Sequence, residues 1–512
     1  MKRAALLDRL RATPRWDVLV IGGGATGLGC ALDAAARGHR TLLLEAHDFA
    51  KGTSSRSTKL IHGGVRYLAQ GRIGLVREAL AERSLLLANA PHLVHPQRFV
   101  VPVYRQWDHL VLGTGLTAYD WLAGRHSLGA SRLLSAAETV AALPTVRRDS
   151  AAGGLIGGIS YMDARFDDAR LAISLMLSVL DHGGLALNYL PVHALRHAAG
   201  RVVGATARDA ETGEVFAIDA RVVINAAGVW ADEVRRLDEP SAAPQLAPSQ
   251  GAHVVIDKDF LPGESALLIP KTPDGRVLFV IPWQGKVLLG TTDTPRGETP
   301  LEPRPLTDEI DFILSTAARY LTRPPTRADV RSAFAGLRPL IGAGRGSPTS
   351  ALSREHVIQL SNGGLVSVAG GKWTTYRHMA EQIVDRAEAV AGLPHHPCPT
   401  AALPLHGSPR APLDDVLGTD RPCVEALPGA GLRLHPALAL SEAEVRHAVR
   451  AELARDVEDV LARRSRALFV DATAAGEAAT AVAGILADEL GWTEEHQRER
   501  TEAFRRLAEG FG

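Results

Sequence analysis

Glycine and acidic residues near the N-terminus have the types and spacing needed to bind a dinucleotide. Gly22, Gly24 and Gly27 follow an apolar stretch, 17–21, in the order Gly-x-Gly-x-x-Gly. This order predicts a strand that turns tightly into a helix, where backbone N–H groups and the helix dipole can hold a pyrophosphate. Glu45 ends the next apolar stretch, where a carboxylate can accept hydrogen bonds from ribose hydroxyls. The pattern alone leaves NAD and FAD equally open.

The segment that follows Glu45 favours FAD. Residues 52–64 read Gly-Thr-Ser-Ser-Arg-Ser-Thr-Lys-Leu-Ile-His-Gly-Gly, which places hydroxyl donors beside two cations. An NAD enzyme would normally continue into another crossover helix, whereas this stretch is typical of a polar, turn-rich loop. Two later strand-and-turn segments, 221–232 and 365–376, could bring small residues and a helix N-terminus to a flavin ring. The competing interpretation of 52–64 is a surface loop rich in serine and threonine.

Composition excludes several classes of protein. The 512 residues include 57 Lys and Arg and 57 Asp and Glu, so no overall field indicates nucleic acid binding. The three cysteines are too few and too scattered for a disulfide framework or a metal site, which fits a reducing compartment. The N-terminal residues lack the pattern of a secretory signal, and no apolar run reaches the roughly 18–20 residues that span a bilayer. A membrane contact would therefore be peripheral.

Hydrophobic periodicity predicts an α/β fold: a FAD-binding Rossmann-like domain, an antiparallel-sheet substrate domain and an all-helical C-terminal domain. The clearest elements are helices over 73–89 and 167–182 and a capping box at 441–444. The predicted boundaries are 1–95, 165–240 and 335–392 for the discontinuous FAD-binding domain, 96–164 and 241–334 for the substrate-binding or cap domain, 393–422 for a linker, and 423–512 for the helical domain.

Eight segments, in the order found in the family, resemble the FAD-dependent, aerobic, quinone-linked glycerol-3-phosphate dehydrogenases, and the match runs over nearly the whole chain. The segments are 20–27, 48–68, 161–170, 223–232, 290–293, 335–340, 353–355 and 370–377, with 458–468 in the helical tail. The resemblance implies oxidation of sn-glycerol 3-phosphate to dihydroxyacetone phosphate, with electrons passing from FAD to a membrane quinone. Related oxidases transfer the electrons to oxygen instead.

The oxidation of a secondary alcohol needs a base for the hydroxyl proton and a cation for the developing alkoxide. The resemblance implies that Arg338 and Lys372 lie over the reacting face of the flavin. His253 begins a predicted strand, and an imidazole has the pKa best suited to proton transfer near neutral pH. We expect His253 to be the general base, although a single histidine is more often structural.

Binding of a phosphate dianion needs several donors, and arginine forks supply paired hydrogen bonds. Arg66, Tyr67 and Arg354 are the expected substrate-binding residues. His62 is expected against the flavin ring, and its covalent attachment is left open. Motifs and resemblance together predict this FAD-binding set: Gly22, Gly24, Ala25, Thr26, Gly27, Glu45, Thr53, Ser54, Ser57, Thr58, Lys59, Leu60, His62, Ala227, Gly228, Gly371, Lys372, Trp373 and Thr374.

Residues 104–122 interleave aromatic and aliphatic side chains with few charges, a pattern that fits either the headgroup region of a membrane or an interior helix. We expect a cytoplasmic protein, peripheral on the inner face of the cell membrane, with a homodimer as a further expectation. The alternative enzymes are an oxygen-using glycerol-3-phosphate oxidase and an amine or amino-acid oxidase of the same fold. A flavin-containing scaffold without turnover is a third alternative.

Overall fold

The computed structural model describes residues 3–64, 71–105, 115, 119–150, 153–272, 274–342, 356–410 and 415–512. Its strands, in chain order, are β1 Trp16–Ile21, β2 Thr41–Leu44, β3 Leu60–Ile61, β4 Val94–Val103, β5 Arg132–Ser135, β6 Asp149–Ser150, β7 Gly153–Gly154, β8 Gly157–Phe166, β9 Leu185–Leu187, β10 Val192–Ala198, β11 Arg201–Arg208, β12 Val215–Asn225, β13 Ser249–Asp257, β14 Ala266–Ile269, β15 Leu278–Trp283, β16 Lys286–Gly290, β17 Thr294–Pro295, β18 Val330–Arg338, β19 Val357–Leu360 and β20 Val366–Ala369.

The α-helices of the described residues are α1 Arg3–Ala12, α2 Ala25–Ala36, α3 Ile73–Asn89, α4 Ala136–Ala142, α5 Asp168–Asp181, α6 Ala231–Asp238, α7 Thr307–Ala318, α8 Tyr376–Ala391, α9 Arg421–Glu425, α10 Glu442–Arg450, α11 Ala467–Val470, α12 Ala472–Leu490 and α13 Glu494–Glu509.

The first sheet carries the glycine-rich turn. Its eight strands run β10-β11-β12-β1-β2-β9, with β20 added beside β12 and β19 beside β20. Strand β1 is parallel to both β12 and β2, and β12 is parallel to β20. Because β1 is wholly apolar except for one residue and is covered by α2, which packs against α5 and α8, it is buried along most of its length. The carboxyl ends of β1, β12 and β20 therefore meet at one edge.

The second sheet has ten strands in the order β17-β13-β16-β15-β14-β4-β8-β3, with β18 beside β13 and β5 beside β8. Most of its pairs are antiparallel, and β13 lies between β16 and β18. The register of β13 places His253 opposite Gly290 of β16 and Phe334 of β18. The second sheet faces the first sheet across a cavity, and its strands form one wall of that cavity.

The C-terminal helices share an apolar core with the second sheet. Val255, Leu288 and Phe334 of the sheet pack in the same cluster as the buried faces of α10, α12 and α13. The capping box at the start of α10 is formed as the sequence predicts, with Ser441 and Glu444 bonding each other's backbone. Beyond α13, the carbonyl of Phe511 accepts a hydrogen bond from the N–H of Ala333 in β18 at 2.6 Å.

The observed helices lie close to their predicted bounds. Helix α3 occupies the predicted residues 73–89, and α5 lies within the predicted 167–182. The segment predicted as a linker holds short helices at Thr400–Ala402, Gly418–Asp420 and α9. The domain boundaries stay predictions.

Candidate active site

A cavity of about 540 Å³ lies between the two sheets. The predicted site residues that line it are Gly24, Ala25, Thr26, Thr53, Ser54, Ser57, Thr58, Leu60, His62, Gly228, His253, Arg338, Gly371, Lys372, Trp373 and Thr374. The predicted residues Gly22, Gly27, Glu45, Lys59 and Ala227 are not part of its lining. Arg66, Tyr67 and Arg354 lie outside the described residues.

The glycine-rich turn is built by close backbone contacts. Gly22 has a φ of +110°, and a Cβ there would lie 2.6 Å from the carbonyl oxygen of Ala226. At Gly27 a Cβ would lie 1.9 Å from the carbonyl oxygen of Gly22, so only glycine lets α2 begin this close to β1. Gly22 and Gly27 therefore shape the turn from behind, while Gly24 and the first residues of α2 face the cavity.

Glu45 lies beside this turn at the end of β2. Its carboxylate accepts the N–H of Gly23 at 2.6 Å and that of His47 at 2.9 Å. Burial raises the pKa of Glu45, which the two backbone hydrogen bonds oppose. The carboxylate is thus fixed next to the glycines at the spacing that the sequence predicts for a ribose acceptor.

The hydroxyl-rich loop joins the turn to the second sheet. The Oγ of Ser54 accepts the N–H of Ala25, the first residue of α2, at 2.9 Å. The indole Nε1 of Trp373 donates to the carbonyl oxygen of Ser54 at 2.8 Å, and the Oγ1 of Thr53 donates to the carbonyl oxygen of Leu337 at 2.5 Å. The loop is therefore held in place by α2, by the segment before α8 and by β18.

Lys59 points away from the cavity. Its side chain is 1% exposed, and its Nζ lies 2.6 Å from the Oδ2 of Asp168 and 2.8 Å from the carbonyl oxygen of Ser55. The residue has a left-handed φ of 62°, which turns its side chain out of the row formed by Ser57 and Thr58. Lys59 therefore contacts the loop backbone from outside the cavity.

His253 is buried within the cavity wall. Its Nε2 lies 2.9 Å from the Oγ1 of Thr58, and its ring stacks on Phe334 at 4.9 Å between centroids. Burial, together with the charges of Lys59 and Arg338, lowers the pKa of His253 well below its ordinary value. The protonated imidazole is therefore disfavoured here, although the sequence alone predicts an ordinary pKa for this histidine.

Arg338 ends β18 at the cavity. Its guanidinium donates to the Oγ1 of Thr291 and the carbonyl oxygen of Thr292, both at 3.1 Å, and to the Oδ1 of Asp293 at 3.2 Å. A Cβ on Gly251 would lie 2.3 Å from its Nη2, so the neighbouring strand leaves room for the guanidinium. A carboxylate and two threonines thus hold this cation at the cavity wall.

Sequence reasoning missed a second arginine and its carboxylates. Arg276 lines the cavity, pairs with Asp274, and places its Nη1 3.8 Å from the Oδ2 of Asp293. The signal in the sequence was Asp-Gly-Arg immediately before the apolar β15. Asp293 was noticed only as part of a segment. The carboxylate of Asp293 lies between the guanidinium groups of Arg276 and Arg338 and pairs with both. The sequence spacing does not indicate this arrangement.

One group of potential metal ligands occurs in the described part of the chain. Asp385, Glu388 and His395 bring ligand atoms within 4.8 Å of one another. The guanidinium of Arg37 pairs with both carboxylates, at 2.6 and 3.2 Å. Because a guanidinium already pairs with both carboxylates, the group is an ion-pair cluster.

Comparison with known proteins decides the family. Residues 17–377 match the family model of FAD dependent oxidoreductases, and residues 411–497 match the C-terminal domain of alpha-glycerophosphate oxidase. The chain is 40% identical to the probable mitochondrial glycerol-3-phosphate dehydrogenase of Caenorhabditis elegans, over 98% of this chain and 74% of that protein. The chain belongs to the FAD-dependent glycerol-3-phosphate dehydrogenase family.

Two further relatives of the glycerol-3-phosphate dehydrogenase family support the assignment. The mitochondrial enzyme of Arabidopsis thaliana is 39% identical, over 100% of this chain and 88% of that protein. The crystal structure of glycerol-3-phosphate dehydrogenase from Bacillus halodurans complexed with FAD is 30% identical, with a TM-score of 0.80, covering 99% of this chain and 97% of that one. The predicted family, fold class, FAD cofactor and oxidoreductase activity are confirmed.

A more distant likeness extends to oxidases. L-alpha-glycerophosphate oxidase from Mycoplasma pneumoniae is 18% identical, with a TM-score of 0.56, over 75% of this chain and 96% of that one. At this identity the likeness concerns the fold alone.

Proposed function

We propose that this chain oxidises sn-glycerol 3-phosphate to dihydroxyacetone phosphate and that a membrane quinone is the electron acceptor. The observation that carries the proposal is the convergence of His253, Arg338 and Lys372 on one cavity beside a dinucleotide-binding turn. The names of the relatives, which are glycerol-3-phosphate dehydrogenases, support this choice of substrate.

The residues around the cavity fit FAD. The start of α2 offers backbone N–H groups and a positive dipole for the pyrophosphate, and the cradle around Gly22 and Gly27 has no room for a Cβ. Glu45, next to this turn, would supply the carboxylate for the ribose. The backbone N–H of His62 donates to the Oγ1 of Thr374 at 3.4 Å, which joins the end of the loop to the segment before α8. When bound there, FAD supplies the two-electron oxidation of the alcohol carbon.

His253 is proposed as the group that takes the proton of the substrate hydroxyl. A general base must be unprotonated before the reaction, and burial of this imidazole beside Lys59 and Arg338 lowers its pKa and so favours the unprotonated form. The hydroxyl of Thr58 fixes the orientation of its Nε2. Its ring is held on the other side by the stack on Phe334, so that the imidazole is already oriented when substrate enters.

Arg338 and Lys372 are proposed to stabilise the negative charge that develops on the substrate oxygen. Both line the cavity, and Arg338 is fixed by Asp293 and the two threonines before substrate arrives. Preorganised cations in a site with little water stabilise a developing charge at low reorganisation cost. Arg66, Tyr67 and Arg354 remain proposed for the phosphate.

Quinone as acceptor requires contact with a membrane surface, which we propose at the inner face of the cell membrane. Trp121, at the end of the aromatic stretch, is 76% exposed, and Leu133 and Ile73 are 59% and 48% exposed. The exposed Arg125 lies four residues after Trp121, and the exposed Arg132 directly precedes Leu133, so both would meet anionic headgroups beside these two apolar residues. Tyr104 and Tyr119 are buried, and residues 106–114 and 116–118 of the aromatic stretch lie outside the described residues. No helix among the described residues is long and apolar enough to span a bilayer.

The second candidate function is an oxygen-using glycerol-3-phosphate oxidase. The specific observation in its favour is the match of residues 411–497 to the C-terminal domain of alpha-glycerophosphate oxidase. This candidate has the same substrate and differs in the acceptor.

The test is anaerobic mixing of the purified holoenzyme with sn-glycerol 3-phosphate while the visible flavin absorbance is followed. Loss of the absorbance supports the proposed substrate, and an unchanged spectrum overturns it. Reoxidation by a soluble quinone much faster than by oxygen supports the dehydrogenase, while the reverse order supports the oxidase. Flotation with liposomes tests the membrane contact, and recovery only in the soluble fraction contradicts it.

A further inference from the structure

We propose that Arg466 of the C-terminal domain is a positioning residue for the flavin-side loop 53–58, which it fixes through Ser55 and Asp168. The inference rests on the proposed function for its effect on catalysis, since that loop contacts His253 through Thr58. Its effect on the loop itself does not depend on the substrate.

Arg466 contacts the loop directly. The guanidinium is fully buried, and its Nη2 donates to the carbonyl oxygen of Ser55 at 2.7 Å. The Nη1 donates to the carbonyl oxygen of Ala462 at 2.7 Å, so the two arms of one fork join the helical domain to the loop. Arg466 has a left-handed φ of 64°, a conformation that surrounding contacts must hold in place.

Asp168 joins the same cation to the next residues of the loop. Its Oδ1 lies 3.2 Å from the Nη2 of Arg466. Its Oδ2 accepts the N–H of Ser57 at 3.0 Å, the Oγ of Ser57 at 2.7 Å and the Nζ of Lys59 at 2.6 Å. The carboxylate is completely buried, and removing one of its cations would leave the remaining charges poorly compensated.

Lys59, which directly follows the loop, forms one buried charged cluster with Arg466 and Asp168. It donates to the same Ser55 carbonyl that Arg466 contacts, and its Nζ lies 5.2 to 5.6 Å from the ring centroids of Trp283, Phe334 and Phe469. Phe334 is the ring on which His253 stacks. The cluster therefore reaches the imidazole both through Thr58 and through Phe334.

The charged groups that contact Arg466 come from two other segments of the chain. Asp167 and Asp168 come from the start of α5, and Lys59 comes from the segment before β3. The Oδ1 of Asp167 lies 3.8 Å from the Nε of Arg466, which has no hydrogen-bond partner. Arg56 of the same loop also packs against Phe469 and Phe511 of the helical domain, but the fork of Arg466 is the contact that reaches the loop backbone and Asp168 together.

The test compares Arg466→Gln and Arg466→Lys holoenzymes with the wild type and with a matched control, Arg455→Gln. Arg455 also joins the C-terminal domain to the first sheet, through Glu211 at 2.6 Å, but does not contact the loop. We expect amide exchange in a peptide spanning 53–60 to increase at least about tenfold in Arg466→Gln, with faster release of FAD. We expect Arg466→Lys to show a smaller increase, since it keeps the charge beside Asp168 and loses the fork. Arg455→Gln should leave both measurements unchanged.

Exchange and FAD release within about twofold of wild type in both Arg466 variants would overturn the proposal. If Arg466→Gln does not fold, Arg466→Lys decides: faster exchange confined to 53–60 supports positioning, and faster exchange spread over the C-terminal helices overturns it. Single-turnover flavin reduction should slow in the same variants while KM changes little. If wild type is not reduced by sn-glycerol 3-phosphate, the proposed function fails while the exchange result still judges this inference.

Discussion

The Nε2 of His253 lies 2.9 Å from the Oγ1 of Thr58, so a strand of the second sheet and the loop beside the glycine-rich turn meet in one hydrogen bond. The hydrogen bond holds the edge of the imidazole, and Phe334 covers one of its faces. This contact orients the imidazole before any ligand enters. Proton transfer by His253 should therefore depend on Thr58.

Replacement of His253 by Asn should slow single-turnover flavin reduction by about 10²- to 10⁴-fold, since a positioned base is lost. FAD should stay bound, because the turn and the loop keep their own contacts. The measurement is anaerobic stopped-flow absorbance with sn-glycerol 3-phosphate. His197→Asn is the control, since His197 pairs with Asp238 outside the cavity. An unaltered rate in His253→Asn would remove this histidine from the mechanism.

Thr58→Val should slow the same step about five- to tenfold, because a single neutral hydrogen bond that orients the imidazole is lost. Thr58→Ser keeps the hydroxyl and should restore most of the rate. Rates are again measured in single turnover. Equal rates in the Val and Ser variants would mean that the hydroxyl plays no part.

Arg338→Met should lower kcat/KM by about 10²- to 10³-fold, since a preorganised cation for the developing negative charge is removed. Asp293→Asn should have a smaller effect in the same direction, because Arg338 stays but loses its carboxylate. Arg331→Met is the control: Arg331 lies on the same strand and pairs with Asp257 at the surface. Steady-state kinetics decide the matter, and equal losses in Arg331→Met and Arg338→Met would contradict the assignment.

Lys59 should make stability depend on pH. Burial lowers its pKa from 10.5 to about 7 in spite of the raising effect of Asp168. Between these values the unfolded chain holds the proton that the folded chain has released. The free energy of unfolding therefore increases as pH rises, which means that Lys59 destabilises the folded protein less at high pH. Thermal unfolding of wild type and Lys59→Met should therefore give a difference that moves in favour of wild type from about pH 7 towards 10.5. A difference that is constant or moves the other way contradicts the lowered pKa.

Trp121→Ala combined with Leu133→Ala should lower binding to anionic liposomes about tenfold or more, since two apolar side chains no longer enter the headgroup region. Flotation measures the bound fraction. Leu432→Ala is the control, because Leu432 is also exposed but lies in the helical domain. Unchanged flotation of the double variant would place the membrane contact elsewhere.

Much of this fold follows from local pattern. Helix α3 has the predicted bounds because its apolar residues recur at helical spacing, and the glycine turn follows β1 because no larger residue fits at Gly22 and Gly27. His253, Arg338 and Lys372 come from three distant segments. The resemblance places Arg338 and Lys372 together in the prediction, whereas His253 is predicted from the chemistry of an imidazole at the start of a strand.

The remaining features of the site depend on contacts between distant segments. Lys59 belongs to a row of hydroxyl residues, and its left-handed backbone, which takes the side chain to Asp168, leaves no trace in the spacing. Arg276 is held at the cavity by Asp293, a carboxylate in the connection between β16 and β17, and the sequence around Arg276 does not indicate this partner. The ordinary pKa assumed for His253 failed because burial and two neighbouring cations act on it, and both arise only when the sheet is assembled.

The apolar core shared by the second sheet and the C-terminal helices means that the tail cannot be deleted as an independent module. Without the tail, Val255 and Phe334 would face water on the same sheet face as His253, since Phe334 stacks on the His253 ring, and truncated chains would be prone to self-association. Shortened versions made for crystallisation or expression would lose solubility and catalytic geometry together.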